Sequence, residues 1–273
     1  MTPAELAARI HAFERELERR CASRTQPTTF GTAFLNPDFP LRYDSNFVWV
    51  DRRLDGVDAD SLAADADRIL GELGFAHRKV TVDDDAQGRR LARAFLDLGW
   101  SAERLVIMAR QREAEARPAA DVAGVRELGF DEARPALEEV QRRQPDVEDD
   151  ETLRQLTEIR AVLEREAGAS FFVAESAGRP ASVCELYAID GVAQIEDVNT
   201  LDEFRGRGLG SAVVLAAARS ARARGCDVVF LIADDADWPK ELYERLGFDA
   251  VSRRWSFVSS PAEPGRPAAP SRR

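Results

Sequence analysis

Leu6, Ile10, Phe13 and Leu17 recur at helical intervals in "MTPAELAARIHAFERELERRC", and this pattern predicts an amphipathic helix at the start of the chain. Thr2 and Glu5 have the spacing of a capping box, with Pro3 at the first helical position. Further on, "HRKVTVD" reads as a strand, followed by a helix from about Gln87, and "RLVIMA" as another strand. The polar, Ala/Pro-containing segment 111–121, "QREAEARPAAD", predicts an interdomain linker. Beyond it the pattern gives a strand over 122–128, helices over 132–143 and 152–166, and strands over 170–176 and 182–189 bracketed by the turns "AGRP" and "IDG". The strand "VAQIEDVNT" leads into a glycine-rich stretch and a helix ending near Arg224, with Gly225 as its cap. A buried strand "CDVVFLIA", a short helix "PKELYERL" stopped by Gly247, and a last strand "VSRRWSFV" complete a mixed α/β domain over 122–258. The Pro/Ala/Ser-rich tail 259–273 has no periodicity and is expected to be disordered.

One internal repeat stands out. "FLDLGWSA", from Phe95, and "YERLGFDA", from Tyr243, share Leu-Gly-aromatic-x-Ala at an offset of 148 residues, each ending a helix and entering a strand. The segments before them also agree in character, so residues 1–110 are expected to form a smaller domain related to the second.

Composition narrows the function classes. A length of 273 residues suits two domains, and no apolar run approaches the roughly 18 residues a membrane span needs, so no membrane association is expected. The first segment is charged throughout and lacks the apolar core of a secretory signal. Cys21, Cys184 and Cys226 are odd in number and far apart, and His11 and His77 are isolated, so no disulfide framework and no metal site is expected; the setting implied is cytoplasmic. A net charge of −11 excludes a basic footprint for nucleic acid but leaves room for a local pocket for one small anion.

That pocket has a candidate. In "DEFRGRGLGSAVVLAAA", Gly206, Gly208 and Gly210 precede a helix, where its uncapped N–H groups and positive dipole end suit a diphosphate; Arg205 and Arg207 add charge. A P-loop is ruled out, because Gly210 is followed by Ser211 and Ala212 with no lysine. The dinucleotide fingerprint fits Gly206 and Gly208 but has Ser211 in its last place and no buried strand end before it.

The remaining pattern, Arg/Gln-x-x-Gly-x-Gly/Ala at Arg205, Gly208 and Gly210, together with the strand before it, the helix after it, the late "LYERLGF" and the element order, resembles the GNAT superfamily of acyl-CoA-dependent N-acetyltransferases over about Asp121 to Val258. The resemblance implies an α/β (α+β) fold with a mixed, largely antiparallel central sheet flanked by helices, preceded here by a degenerate GNAT-like domain. It implies acetyl-CoA as co-substrate, its pyrophosphate held by Arg205, Gly206, Arg207, Gly208, Leu209, Gly210 and Ser211, and its pantetheine and acetyl carbonyl by the backbone around Val198, Asn199 and Thr200. Leu209, Val213, Ala216 and Ala217 would pack the helix on the sheet. Alternation puts Gln194, Glu196, Val198 and Thr200 on one face of their strand and Asp197 on the other. Glu196 then becomes the candidate proton acceptor, and Tyr243, four residues before Gly247-Phe248, the candidate donor to the leaving thiolate. The family often has an Asn after the penultimate strand; here stands "ADDADWPKELY", in which Asp235 is the candidate for the contact, and Trp238 either packs on the cofactor arm or staples the next helix. The first domain carries Phe95 in place of the tyrosine and no glycine loop in "DGVDADSLAADADRILGELG", so it is expected not to bind acetyl-CoA. The expected activity is acetyl transfer to a primary amine of a small molecule by a monomer or homodimer; the alternative is a non-catalytic acyl-CoA-binding sensor or interaction module.

Overall fold

The capping box forms as its spacing predicts. Glu5 N–H donates to Thr2 Oγ1 (3.2 Å) and Thr2 N–H to Glu5 Oε2 (2.7 Å), opening helix α1 (Pro3–Cys21). The structure, a computed structural model, describes residues 1–112, 114, 124–144 and 147–260; residues 113 and 115–121 of the expected linker and 261–273 of the expected tail lie outside it.

The chain folds as two units that are not continuous in sequence. One comprises Met1–Cys21, Met108–Ile232 and Glu241–Val251; the other comprises Ala22–Ile107, Ala233–Lys240 and the chain from Ser252. The expected division, 1–110 and 122–258, is contiguous; these compact units are not. Hydrophobic periodicity tells which face of α1 is apolar, but not what covers it: Leu6, Ile10, Phe13 and Leu17 are buried within their own unit, where α1 lies against α5 (Asp150–Ala167) and β9 (Val192–Thr200), with Phe13 edge-on to Phe230 at 5.4 Å.

In the unit that holds most of the C-terminal half, β6 (Val125–Leu128), β7 (Ser170–Ser176), β8 (Arg179–Ile189) and β9 (Val192–Thr200) pair antiparallel in that order, and β10 (Val228–Asp234) then runs parallel to β9. Helices α4 (Phe130–Gln141) and α5 (Asp150–Ala167) pack on β8, and so does α6 (Leu209–Ala223). A short helix α7 (Pro239–Arg245) precedes β11 (Phe248–Ser259). The apolar side of α6 is Ala212, Val213, Ala217 and Ala221, all buried, whereas the expected Leu209 and Ala216 are half-buried.

The other unit repeats the scheme on a smaller scale. β1 (Arg24–Pro27), β2 (Gly31–Leu35) and β3 (Phe47–Val50) are antiparallel, and β4 (Arg78–Val82), after helix α2 (Ala59–Ala66), is parallel to β3. Helix α3 (Asp85–Asp97) then leads into β5 (Ser101–Arg110), and the C-terminal half of β11 pairs antiparallel with β4. The repeated Leu-Gly-aromatic sequence falls where expected, with Gly99 at φ +82° after α3 and Gly247 at φ +92° after α7, conformations that glycine adopts without penalty. Phe257 stacks on Phe95 at 4.1 Å, and Trp255 lies against α3 at Gly88.

Two outcomes follow from this packing. A Cβ at Gly88 would stand 2.3 Å from Trp255 Cδ1 and 2.7 Å from its Cβ, so Gly88→Ala lowers stability by about 1–3 kcal/mol in denaturant melts, against a helix-propensity gain of only about 1 kcal/mol. His77 is fully buried, stacked at 3.9 Å on Tyr43 with Nε2 2.8 Å from the Asn46 carbonyl oxygen, and burial lowers its pKa to about 4. Between that value and the unfolded ~6.5 only the unfolded chain binds the proton, so stability is present above pH 6.5 and drains as pH falls towards 4. The loss from this group amounts to about 2 kcal/mol between pH 7 and pH 5, read as a shift of the urea midpoint that His77→Gln abolishes.

Candidate active site

The site begins where a parallel strand pair stops. β9 and β10 are in register from Val192 with Val228 to Ile195 with Leu231, and beyond these residues both strands continue without a registered partner on that side. A cavity of about 180 Å³ opens there, lined among others by Glu196, Val198, Asn199, Leu231, Ile232 and Tyr243. Two of the candidate chemical groups, the Glu196 carboxylate and the Tyr243 phenol, are therefore brought to one cavity together with the backbone of Val198 and Asn199. Tyr243 is buried and edge-on to Phe248 at 6.3 Å.

β9 carries a bulge at this point. Glu185 faces Glu196 and Val183 faces Asn199, so β9 contains one residue more than β8 between the two pairs, and Asp197 sits at φ +51°. An aspartate tolerates this left-handed conformation better than most side chains. The bulge corrects the expected alternation. Gln194 and Glu196 do share a face, joined by a 2.5 Å hydrogen bond from Gln194 Nε2 to Glu196 Oε2. Asp197, expected on the opposite face, instead reaches Arg160, which also holds Glu185, the neighbour of Glu196. Beyond it the order is offset: Asn199 Nδ2 donates to Asp197 Oδ1 at 2.6 Å, and Thr200 turns to the other face, its Oγ1 2.9 Å from Ser182 Oγ.

Thr200 ties the strand to the glycine loop. Its carbonyl oxygen accepts from Arg205 Nε at 3.3 Å, and its Oγ1 would be 3.2 Å from a Cβ on Gly210. Gly206 and Gly208 have φ of +74° and +78°, a conformation unfavourable for other residues. Gly208 is the N-cap of α6 and supplies no side-chain cap, so the amides of Leu209, Gly210 and Ser211 have no acceptor within the helix. Arg205 pairs with Asp202 (2.9 Å), and Arg207 donates to the Glu203 carbonyl oxygen (3.1 Å) while lying 5.3 Å over the Phe204 ring. Both are exposed, and each is held by loop partners beside the helix start.

Asp235 has a different employment. Its carboxylate is bonded by Arg104 Nη1 (2.8 Å) and Arg253 Nε (3.0 Å), and Lys240 stands 3.4 Å away, all within the unit that holds most of the N-terminal half. Although burial opposes it, Arg253 and Lys240 hold its pKa below the ordinary value. Trp238 is exposed.

The corresponding place in that N-terminal unit is closed. After the parallel pair β3/β4, Trp49 Nε1 donates across to Asp83 Oδ2 at 2.8 Å. The loop that follows β3 is fastened by Gln87, which accepts from Leu54 N–H at 2.5 Å, and by Arg90, which donates to the Val57 carbonyl oxygen at 2.9 Å. At the start of α2, Asp58 accepts from Ser61 N–H at 2.9 Å, so a carboxylate of the chain already occupies an amide that an anion would use. Phe95, in the place of the tyrosine, is fully buried.

The sequence reading missed a buried polar cluster beneath Glu196. Arg160 of α5 donates through Nε to Glu185 (2.5 Å), through Nη1 to the Leu156 carbonyl oxygen, and through Nη2 to Gln141 (3.1 Å) and Asp197; Tyr187 OH donates to the other Glu185 oxygen. Burial would lower the guanidinium pKa, but Glu185 and Asp197 outweigh it and raise it, so the charge stays. Burial, reinforced by those same carboxylates, pushes the Cys184 thiol well up and leaves it inert as a nucleophile. A polar face in "ELYAIDGVAQIED" was the available signal, since Glu185 and Tyr187 alternate within an otherwise apolar strand.

Comparison with known proteins agrees with this geometry. Residues 133–248 match the Acetyltransferase (GNAT) family. A glucosamine 6-phosphate N-acetyltransferase of Trypanosoma brucei brucei is 38% identical over 63 residues, which are 23% of this chain and 42% of that protein, so the chain spans less than half of this relative. Among solved structures, a GCN5-related N-acetyltransferase from Kribbella flavida has a TM-score of 0.60 at 17% identity, covering 96% of both chains. A tandem GNAT protein from the clavulanic acid biosynthesis pathway has a TM-score of 0.51 at 19% identity, covering 81% of this chain and 75% of its own. Both structures share the fold. The strand that carries the bulge, the glycine loop and the tyrosine helix all lie inside residues 133–248, the segment that matches the GNAT acetyltransferase family.

Proposed function

We propose that the GNAT unit transfers an acetyl group from acetyl-CoA to the primary amine of a small molecule, by direct attack in a ternary complex. The observation that carries this reading is the cavity at the end of the β9/β10 pair, which Glu196 and Tyr243 line together. Its volume suits the thioester end of the cofactor rather than the whole of it. The diphosphate belongs on the amides of Leu209, Gly210 and Ser211 with Arg205 and Arg207 beside them, where a helix dipole and two cations favour negative charge. The backbone of Val198, Asn199 and Thr200, without a registered partner towards β10, supplies hydrogen bonds for the pantetheine arm and for the carbonyl oxygen as it gains charge.

In this reading the neutral amine nitrogen attacks the carbonyl carbon, the C–N bond forms and the C–S bond breaks. Glu196 takes the proton from nitrogen, directly or through a water, and Tyr243 gives one to sulfur, after which the phenol is reprotonated from solvent. A protonated phenol is an O–H donor, the role the step requires. Glu196 and Asp197 make the acceptor side acidic, which favours a cationic amine and disfavours nucleic acid. A contact from Asp235 is not carried forward, because its carboxylate is engaged by Arg104 and Arg253. A cytoplasmic setting belongs to the same proposal, with Cys21, Cys184 and Cys226 all free and buried.

Calorimetric titration of acetyl-CoA gives one site per chain, since the N-terminal unit is closed by Asp58, Gln87 and Arg90. Gly208→Glu abolishes that site by putting a side chain in a left-handed position and an anion at the helix start. Two sites, or full binding by the variant, would contradict the assignment of the loop; binding without thiol release for any amine would favour a sensor. With an amine identified, Glu196→Gln lowers kcat by about 10²–10⁴. Tyr243→Phe lowers kcat strongly while the acetyl-CoA Kd stays nearly unchanged, and equal losses in both would make Tyr243 a packing residue.

A further inference from the structure

The two carboxylates that flank Glu196 at the bulge, Glu185 and Asp197, are joined by one guanidinium, that of Arg160. Arg160 is 1% exposed and Glu185 likewise, so their pairing at 2.5 Å is wholly internal. Replacing such a pair by apolar groups is often neutral or stabilising, so stability alone gives a weak account of its presence. What Arg160 does geometrically is more specific. It reaches from α5 to β8 through Glu185 and to β9 through Asp197, and these two partners stand on either side of Glu196: one faces it in register, the other follows it in the chain. Asp197 is further held by Asn199 Nδ2 at 2.6 Å, so a left-handed aspartate is fixed from both sides. Leu156 O and Gln141 Oε1 take further guanidinium hydrogens, leaving the fork no freedom to swing away.

We propose that Arg160 is a positioning residue for the transfer: by gripping Glu185 and Asp197 together it locks the β9 bulge, and so fixes the direction of Glu196 and of the Val198 backbone at the cavity. The proposal rests on the acetyl-transfer reading of that cavity. Loss of the grip lets the bulge relax to a regular strand. Glu196 then moves by about 1 Å or more, a displacement that costs on the order of 10² in rate.

The test uses the full-length double variant Arg160→Met/Glu185→Gln, which removes the buried charge from both sides so that neither is stranded; Asp197, partly exposed, returns to solvent. The proposal expects kcat to fall about 100-fold with acetyl-CoA Kd within about threefold of the wild type, because the loop 205–211 is untouched. An unchanged kcat, or parallel losses in kcat and Kd, would overturn it. A crystal structure of the same variant supplies an independent readout: Asp197 leaves the left-handed region and the β8/β9 register becomes regular, whereas a retained bulge sinks the proposal. Should the wild-type protein bind no acetyl-CoA, the reading of the site falls and the role in transfer with it, and the crystal structure still decides whether Arg160 holds the bulge.

Discussion

The parallel pairing of β9 with β10 ends at Ile195 and Leu231, and the candidate site depends on that ending. Had the two strands stayed in register to Thr200, the amides and carbonyls that follow Ile195 would be spent on each other. Their separation leaves backbone groups facing a cavity, which a buried sheet tolerates only where a ligand or water can satisfy them. The bulge at Asp197 and the hydrogen bonds of Thr200 set how β9 leaves its partner: the first turns the chain, and the second anchors its end to the loop that begins α6.

Much of this was legible because it is local. The capping box at Thr2 and Glu5, the glycines at 206 and 208, and Gly247 closing the tyrosine helix are short-range requirements that residue type expresses directly, and each lies where its spacing placed it. The GNAT assignment rested on the same kind of signal. What stayed hidden is long-range. Alternation misplaced Asp197 because the bulge lies in the pairing with β8, and the partner that Asp197 meets, Arg160, is 37 residues away, outside any window along β9. Asp235 looked available in sequence, yet Arg104 lies 131 residues from it. The discontinuity of the compact units is hidden for the same reason, since α1 and the end of β11 find their partners far along the chain.

The two units show how one scheme can keep its architecture while losing the features of a binding site. Both place a helix after an antiparallel run and then a parallel strand. In the N-terminal unit internal partners stand at the corresponding places: a carboxylate caps the helix, an indole bridges the strands, and a phenylalanine occupies the position that the tyrosine has in the other unit. Each of these satisfies a group that would otherwise require a ligand, and each is compatible with a well-packed interior.

The distribution of α1 and β11 bears on how the protein is made. During synthesis the segment that completes the N-terminal unit, Ser252–Ser259 paired with β4, is the last described strand to leave the ribosome. Until then β4 presents an unpaired edge beside Val80 and Val82, and at an earlier stage α1 holds its apolar stripe uncovered until α5 and β9 have been made. Neither half of the nascent chain can therefore finish folding by itself. A polypeptide cut in the middle would yield two incomplete, aggregation-prone pieces.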